Sequence, residues 1–363
     1  MRLYFCVGTY TEPILFGTGE VFQGKGEGLY LCSFDGSRVR THGCLPLVNP
    51  SFLCIREETR TIYAVGETKT FDGRFGGSVS EIDYGEDGAM RCVRTLPSYG
   101  TDPCHIGVTP DGSLVCIANF GSGSLAVYPL DASGRMEDRH QLFEHEGGSV
   151  HPERQRGPHA HSVLFAGDDV LYVPDLGKDC VVGYRYAARR AEPAPELDVS
   201  VPAGSGPRYG EYAPNGRDFY LIHELSSTVG HFVSEGGRLR LRSVTSTLPA
   251  GFQGANICAD LHVTPDGRTL YASNRGHDTI AMYRIDREGE LALLGHYPIG
   301  GRTPRAFAID PTGRYVMIGN QDTDQLVVCE IEPDGRLATV CRTPFPSPVC
   351  IQFFRSPIFN PNV

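Results

Sequence analysis

Residues 259–284 read ADLHVTPDGRTLYASNRGHDTIAMYR. Residues 260–264 alternate apolar and polar side chains, the pattern of a strand with one buried face. Pro265-Asp266-Gly267-Arg268 is a turn, because Pro presets one backbone angle and Gly accepts a positive φ. Residues 269–273 form a second strand and 274–278 a polar loop. Residues 279–285, rich in β-branched and aromatic side chains, form a third strand. Asp286-Arg287-Glu288-Gly289 then turns into a fourth over 290–298.

The unit recurs at residues 103–130 (PCHIGVTPDGSLVCIANFGSGSLAVYPL), 158–186, 207–232 and 304–331, with a divergent copy at 50–82. The copies begin at Pro50, Pro103, Pro158, Pro207, Ala259 and Pro304, a period of roughly 50 residues. Four strands at that period predict a β-propeller. The ends supply a seventh blade: 3–9 (LYFCVGT), 28–34 and 39–47 match second, third and fourth strands, and 348–354 (PVCIQFF) matches the missing innermost one. The expected fold is all-β, a seven-bladed propeller of four-stranded antiparallel blades in one domain over 1–363. The N- and C-terminal strands join in one blade and leave no free sheet edge there.

Of the 363 residues 40% are hydrophobic, enough for a large core, and the net charge is −10 with no basic stripe, which argues against nucleic acid as a partner. The twelve cysteines contain no C-x-x-C pair and several fall in strand patterns, so they read as small buried hydrophobes. No run is long and apolar enough for a membrane span, and the chain enters a strand without an apolar leader. With many free thiols, the expected compartment is the cytoplasm, and the expected state a monomer or weak homo-oligomer.

In an antiparallel meander the start of the first strand and the end of the second lie on one face of the ring. The first-strand starts bring Cys104, His105, His159, His161, Arg208, Asp260, His262 and Arg305 to that face; the second-strand ends bring Glu67, Asn119, Asp175, Glu224, Asn274, Arg275, His277, Asn320 and Gln321. Charged groups crowded at a channel mouth are costly for a scaffold unless paired, so the face reads as a binding or catalytic site. Pairing of Arg208 with Glu224 within one blade is the structural alternative. His159 and His161 share a face at the spacing of a metal chelate. No compact third ligand accompanies them, so they are expected to act as hydrogen-bonding groups, without metal or cofactor. No G-x-S-x-G motif occurs.

Two stretches interrupt the rhythm. Residues 11–28 (TEPILFGTGEVFQGKGEG) contain a G-x-x-x-x-G-K spacing, but Gly26 replaces Ser or Thr and no helix pattern follows. They read as a glycine-rich flap over the mouth, flanked by residues 69–77. Residues 140–157, with His145, His151, Arg154 and Arg156, read as a solvated loop.

VGTYTE (7–12), PCHIGVTPDG, PHAHSV, VPDLGKD, GSGPRYGEYAPNG, HELSSTV and SNRGHDTIAMY together resemble the seven-bladed lactonase family, which contains propeller-type 6-phosphogluconolactonases and carboxy-cis,cis-muconate cyclases. The resemblance covers nearly the whole chain. It implies catalytic roles for Glu224, His161 (or His159), Arg208 and Arg275. The candidate substrate-binding residues are His159, His105, Asp260, His262, Asn274, His277, Arg305 and Gln321. The chain departs from the family pattern at Tyr209, Ala306, His223 and Asp260.

The expected function is hydrolysis of a sugar-acid lactone, 6-phosphogluconolactone or a related anionic aldonolactone. Glu224, His161 or His159 would take a water proton, and arginines would hold the oxyanion and an acidic substrate group. The alternative in the same site is a cycloisomerase acting on a polyanionic lactone. The alternative of another class is a non-catalytic binding platform, which the charged face and the absence of Trp argue against.

Overall fold

The computed structural model describes residues 2–355. The repeats are realised as seven antiparallel sheets, each a meander running outward from a central axis. Blade 1 joins the chain ends: Pro348–Phe353 is innermost, followed by Leu3–Thr9, Gly28–Phe34 and Val39–Pro46. Phe5 opposes Phe353 and Val7 opposes Ile351 in that closing ladder. Blades 2, 3, 5, 6 and 7 have innermost strands Leu53–Arg56, Pro103–Val108, Pro207–Tyr212, Ile257–Val263 and Pro304–Ile309. In blade 4 the innermost strand is only Leu164–Ala166, and the two-residue strand Val199–Ser200 adds to its outer side. Met1 and residues 356–363 of the expected 1–363 span lie outside the described residues.

Apolar clusters fill the gaps between neighbouring blades. One joins Val7, Phe34, Met317 and Ile351 across blades 1 and 7; another joins Tyr220, Val229, Leu261 and Tyr283 across blades 5 and 6. A polar staple repeats beside them. The second-strand tyrosines Tyr63, Tyr220 and Tyr271 donate to the carbonyls of Gly134, Gly289 and Gly335 at 2.5, 2.8 and 2.9 Å, each glycine lying in the outer turn of the next blade. Tyr172 does the same to Gly237. A buried phenol needs such an acceptor, so each staple ties one blade to the next in register.

The innermost strands carry a second repeated device. The pairing register slips between Pro103 and His105, Pro207 and Tyr209, Cys258 and Leu261, and Pro304 and Ala306. The bulged residues are therefore Cys104, Arg208, the pair Ala259-Asp260, and Arg305. A bulge re-aims a side chain and ends regular pairing, and the proline before three of these bulges has no N–H to lose from the ladder.

All twelve cysteines are free thiols. Among the described residues no helix is long and apolar enough to cross a membrane.

Candidate functional site

A cavity of about 970 Å³ opens at the face where the innermost strands begin. Its floor is organised on Glu224. The Glu224 N–H donates to Gly206 O at 2.7 Å and its carbonyl accepts from Cys258 N at 3.0 Å, so the residue is pinned between blades 5 and 6. Its carboxylate takes three guanidiniums: Arg154 Nη2 on Oε1 at 2.6 Å, and Arg208 Nε and Arg275 Nη2 on Oε2 at 3.1 and 2.9 Å. His161 Nε2 stands 3.8 Å from Oε2. Arg208 Nη1 also donates to Ala259 O, and Arg275 Nη2 to Cys258 O at 2.7 Å. The blade 6 bulge exposes these acceptors.

Burial alone would raise the Glu224 pKa, but Arg275, Arg154, Arg208 and then His161 outweigh it and hold the carboxyl well below the usual range. Burial pushes the His161 imidazole well below its ordinary value, and Arg208 pushes it further against the opposing Glu224. Burial lowers Arg275 to about 10 in spite of Glu224, which leaves it charged at neutral pH. The resting floor is thus an ionised carboxylate, a neutral imidazole and three guanidiniums.

Arg305 closes the other side. Its guanidinium lies 5.2 Å from the Tyr10 ring centre and 5.3 Å from that of Phe16, and 3.9 Å from Glu67 Oε1. Tyr10 Oη donates to Glu67 Oε2 at 3.0 Å. Burial raises the Glu67 pKa, with Arg305 opposing. Four guanidiniums thus face the two buried carboxylates Glu67 and Glu224 at the floor, while Glu20, Lys69, Asp102 and Asp322 complete the charged lining. Lys69 and Asp102 pair at 2.5 Å on the rim.

Residues 11–27 form the flap, built on a short ribbon of Ile14–Leu15 and Val21–Phe22. Phe16, Gly17 and Phe22 line the cavity. Asn49 Oδ1 holds the flap's base through the N–H groups of Thr11 and Glu12, at 2.8 and 3.0 Å. The G-x-x-x-x-G-K lysine, Lys25, pairs with Asp324 at 2.5 Å. Residues 69–77 flank the flap as a second short hairpin, Thr70–Phe71 with Arg74–Phe75.

Of the expected site residues, Glu224, His161, Arg208, Arg275, His159, Arg305 and Gln321 line the cavity. His159 and His161 lie ahead of the blade 4 strand rather than on it, in a segment tied by an Ala160–Asp175 bridge. His159 Nδ1–H donates to Phe120 O at 2.9 Å, and its ring stacks on Phe120 at 4.5 Å. His161 Nδ1 lies 3.6 Å from Cys104 Sγ.

Five expected substrate contacts are elsewhere. His105 follows a bulge, so it turns from the cavity and stacks on Phe52 at 4.0 Å. Asp260 lies in the wider blade 6 bulge and His262 just beyond it, both directed into the channel, where His262 Nδ1 meets Glu211 at 2.8 Å and Nε2 lies 3.5 Å from Asp260. Asn274 is fully buried, accepting from Thr247 Oγ1 at 2.7 Å and donating to Thr247 O at 2.8 Å. His277 bonds Thr279 Oγ1 at 2.7 Å and packs edge-on against Phe252.

The stretch 140–157 is only in part the solvated loop its polarity predicts: Glu146, Val150, Glu153 and Arg156 are exposed, but the loop is anchored. Gln141–Glu144 is the outer strand of blade 3. His145 is buried between Asp175, 2.6 Å away, and Tyr184, 2.8 Å away. Buried Gln155 fixes the loop through its Nε2 to Leu176 O at 2.8 Å, and this delivers the neighbouring Arg154 to Glu224. Phe16, Lys69 and Arg154 are cavity residues that strand position could not reveal, since none occupies a first-strand start or second-strand end; Tyr10 follows the second strand of blade 1 as Glu224 follows that of blade 5, but its aromatic ring carries no charge that would single it out.

The bladed ring and its arginine-lined mouth define a propeller with an anion-suited pocket. The chain belongs to the seven-bladed β-propeller lactonase family, which matches it over residues 4–353. A 6-phosphogluconolactonase of Bacillus subtilis is 30% identical over 356 residues, 96% of this chain and 97% of that one. Another, from Formosa agariphila, is 30% identical over 78% of this chain and 81% of its own. The periplasmic gluconolactonase of Pseudomonas aeruginosa superposes with a TM-score of 0.88 at 33% identity, over 97% of this chain and 99% of that one.

Proposed function

We propose that this protein is a lactonase that opens an anionic aldonolactone of the 6-phosphogluconolactone type in the cavity above Glu224. The observation that carries the reading is the convergence of Arg154, Arg208, Arg275 and Arg305 on one pocket that also holds a carboxylate–imidazole pair. The two 6-phosphogluconolactonase relatives support it, and the gluconolactonase neighbour supports lactone opening more broadly. In the proposed reaction a water oxygen adds to the lactone carbonyl and its proton passes to the Glu224–His161 pair. Guanidinium donors stabilise the oxyanion. The acyl C–O bond to the ring oxygen then breaks, the alkoxide takes the proton back, and the product is the open hydroxy acid. An acidic substrate group would offset the positive field of the arginines and raise the basicity of both Glu224 and His161.

The test is steady-state kinetics of Arg208→Lys and Arg275→Lys with 6-phosphogluconolactone at two ionic strengths. Lysine keeps the charge but not the planar fork, so each variant is expected to lose about 2–4 kcal/mol of transition-state stabilisation. Wild-type kcat/KM should fall as salt rises. Wild-type rates in both variants would remove the arginines from the reaction.

A further inference from the structure

Glu224 is fully engaged, yet its three guanidinium partners are not equally fixed. Arg208 and Arg275 each donate to a blade 6 carbonyl as well as to Oε2. Among the described residues the Arg154 side chain has Glu224 as its one hydrogen-bond partner. It also comes from a connecting loop, whereas Arg208 and Arg275 sit on blade strands. The flap lies directly against it: a Cβ built on Gly17 would stand 3.1 Å from Arg154 Nε. Arg154 is therefore the one gripping arginine that can leave without breaking a second bond, and it sits where a ligand passing under the flap arrives.

We propose that Arg154 is a specificity-determining cover on Glu224, drawn off Oε1 by the acidic group of the incoming substrate, so that the proton acceptor is uncovered only when an anion is bound. A phosphate or carboxylate group offers a guanidinium the same charge-assisted fork as Glu224 does, and a phosphate offers more charge. The bond lost at Oε1 is replaced by one to the substrate. Arg208 and Arg275 stay on Oε2 and keep the carboxylate in place. A neutral lactone has nothing to exchange for Arg154, so it meets a covered Glu224. The reaction in this account is the one proposed above; the exchange of Arg154 between Glu224 and an anion does not depend on it.

The experiment compares wild type, Arg154→Gln and Arg154→Lys in the full chain. Inorganic phosphate is titrated by calorimetry and thermal shift. Then kcat/KM is measured for 6-phosphogluconolactone and for neutral glucono-δ-lactone. Losing one charge-assisted contact should weaken phosphate binding by about ten- to a hundredfold in Arg154→Gln. The lysine variant should fall between it and wild type. The two lactones should respond with opposite sign: the phosphorylated one is opened more slowly by Arg154→Gln, the neutral one faster, because its base is no longer covered. Unchanged phosphate affinity in both variants, or an equal fall for both lactones, would reduce Arg154 to a brace for Glu224 and overturn the proposal. Should Arg154→Gln not fold, the lysine variant decides the same two readouts. A wild type that opens neither lactone would sink the hydrolytic reading, while the phosphate titration would still decide whether Arg154 binds the anion.

Discussion

A carboxylate with a guanidinium on each oxygen is a strong anchor and a weak base. That tension defines Glu224. Changing it to Gln keeps its shape but leaves three guanidiniums facing one another without a counter-charge. The buried partners then cost about 1–3 kcal/mol of stability, and the variant should melt below wild type. An added anion supplies the missing charge, so inorganic phosphate should raise the melting temperature of Glu224→Gln more than that of wild type. Thermal shift with and without phosphate checks this; an unchanged melting temperature would mean that the cluster is held by its surroundings alone. Glu224, Arg208 and Arg275 were legible in the sequence because each stands at a repeat position that the meander sends to one face. Arg154 was not. Loop polarity hides an anchored loop, and it is the burial of His145 and Gln155 that shows residues 145–157 to be held at two points.

At the scale of elements, the repeat rhythm made the blades readable and the bulges set the limit of that reading. Position at the start of an innermost strand assigns His105, Asp260 and His262 to the cavity. One extra residue at 104 and two at 259–260 reverse or displace the faces beyond them. Only the preceding proline marks three of the bulges, and no local signal marks the one in blade 6. The tyrosine staples were equally unread, although the second-strand Tyr and the outer-turn Gly recur in the sequence. Closure of blade 1 was readable from the orphan strand at each end. Removing residues 344–363 would delete its innermost strand and leave Leu3–Thr9 as an open edge beside the core residues Phe5 and Val7. Exposed edges of that kind pair with other chains, so the truncated protein should aggregate or melt far below the full chain in light scattering and calorimetry. A soluble truncation with an unchanged transition would refute the stitched blade.

For the whole molecule, an acidic surface encloses a cationic floor, which draws an anion inward only at short range and more weakly as salt rises. The buried histidines also give stability a defined pH dependence. Burial lowers His105 to about 3 and His223 to about 4 from 6.5, and holds His161 well below it. Each then binds a proton only on unfolding, so stability falls as pH drops below about 6.5 toward 4, with Glu224 adding the same sign below its unfolded value. His262 does the reverse. Burial opposes its charge, but Asp260 and Glu211 raise it to about 10. Its contribution is full below 6.5 and is lost as pH rises toward 10. Denaturant midpoints measured from pH 4 to 10 should therefore show a peak near neutrality. His262→Gln should lower the midpoint at pH 7 and flatten the alkaline side; an alkaline slope equal to wild type would show that His262 is uncharged in the channel.

The proposed function requires the Glu224 cluster to open an anionic lactone. The most direct measurement is the initial rate of 6-phosphogluconolactone ring opening, above the spontaneous rate, by wild type and by Glu224→Gln at equal folded concentration. Wild type should open the lactone, and the variant should be slower by about 10²- to 10⁴-fold, the range for loss of a general base. Equal rates from the two proteins, or no opening by wild type, would contradict the proposal.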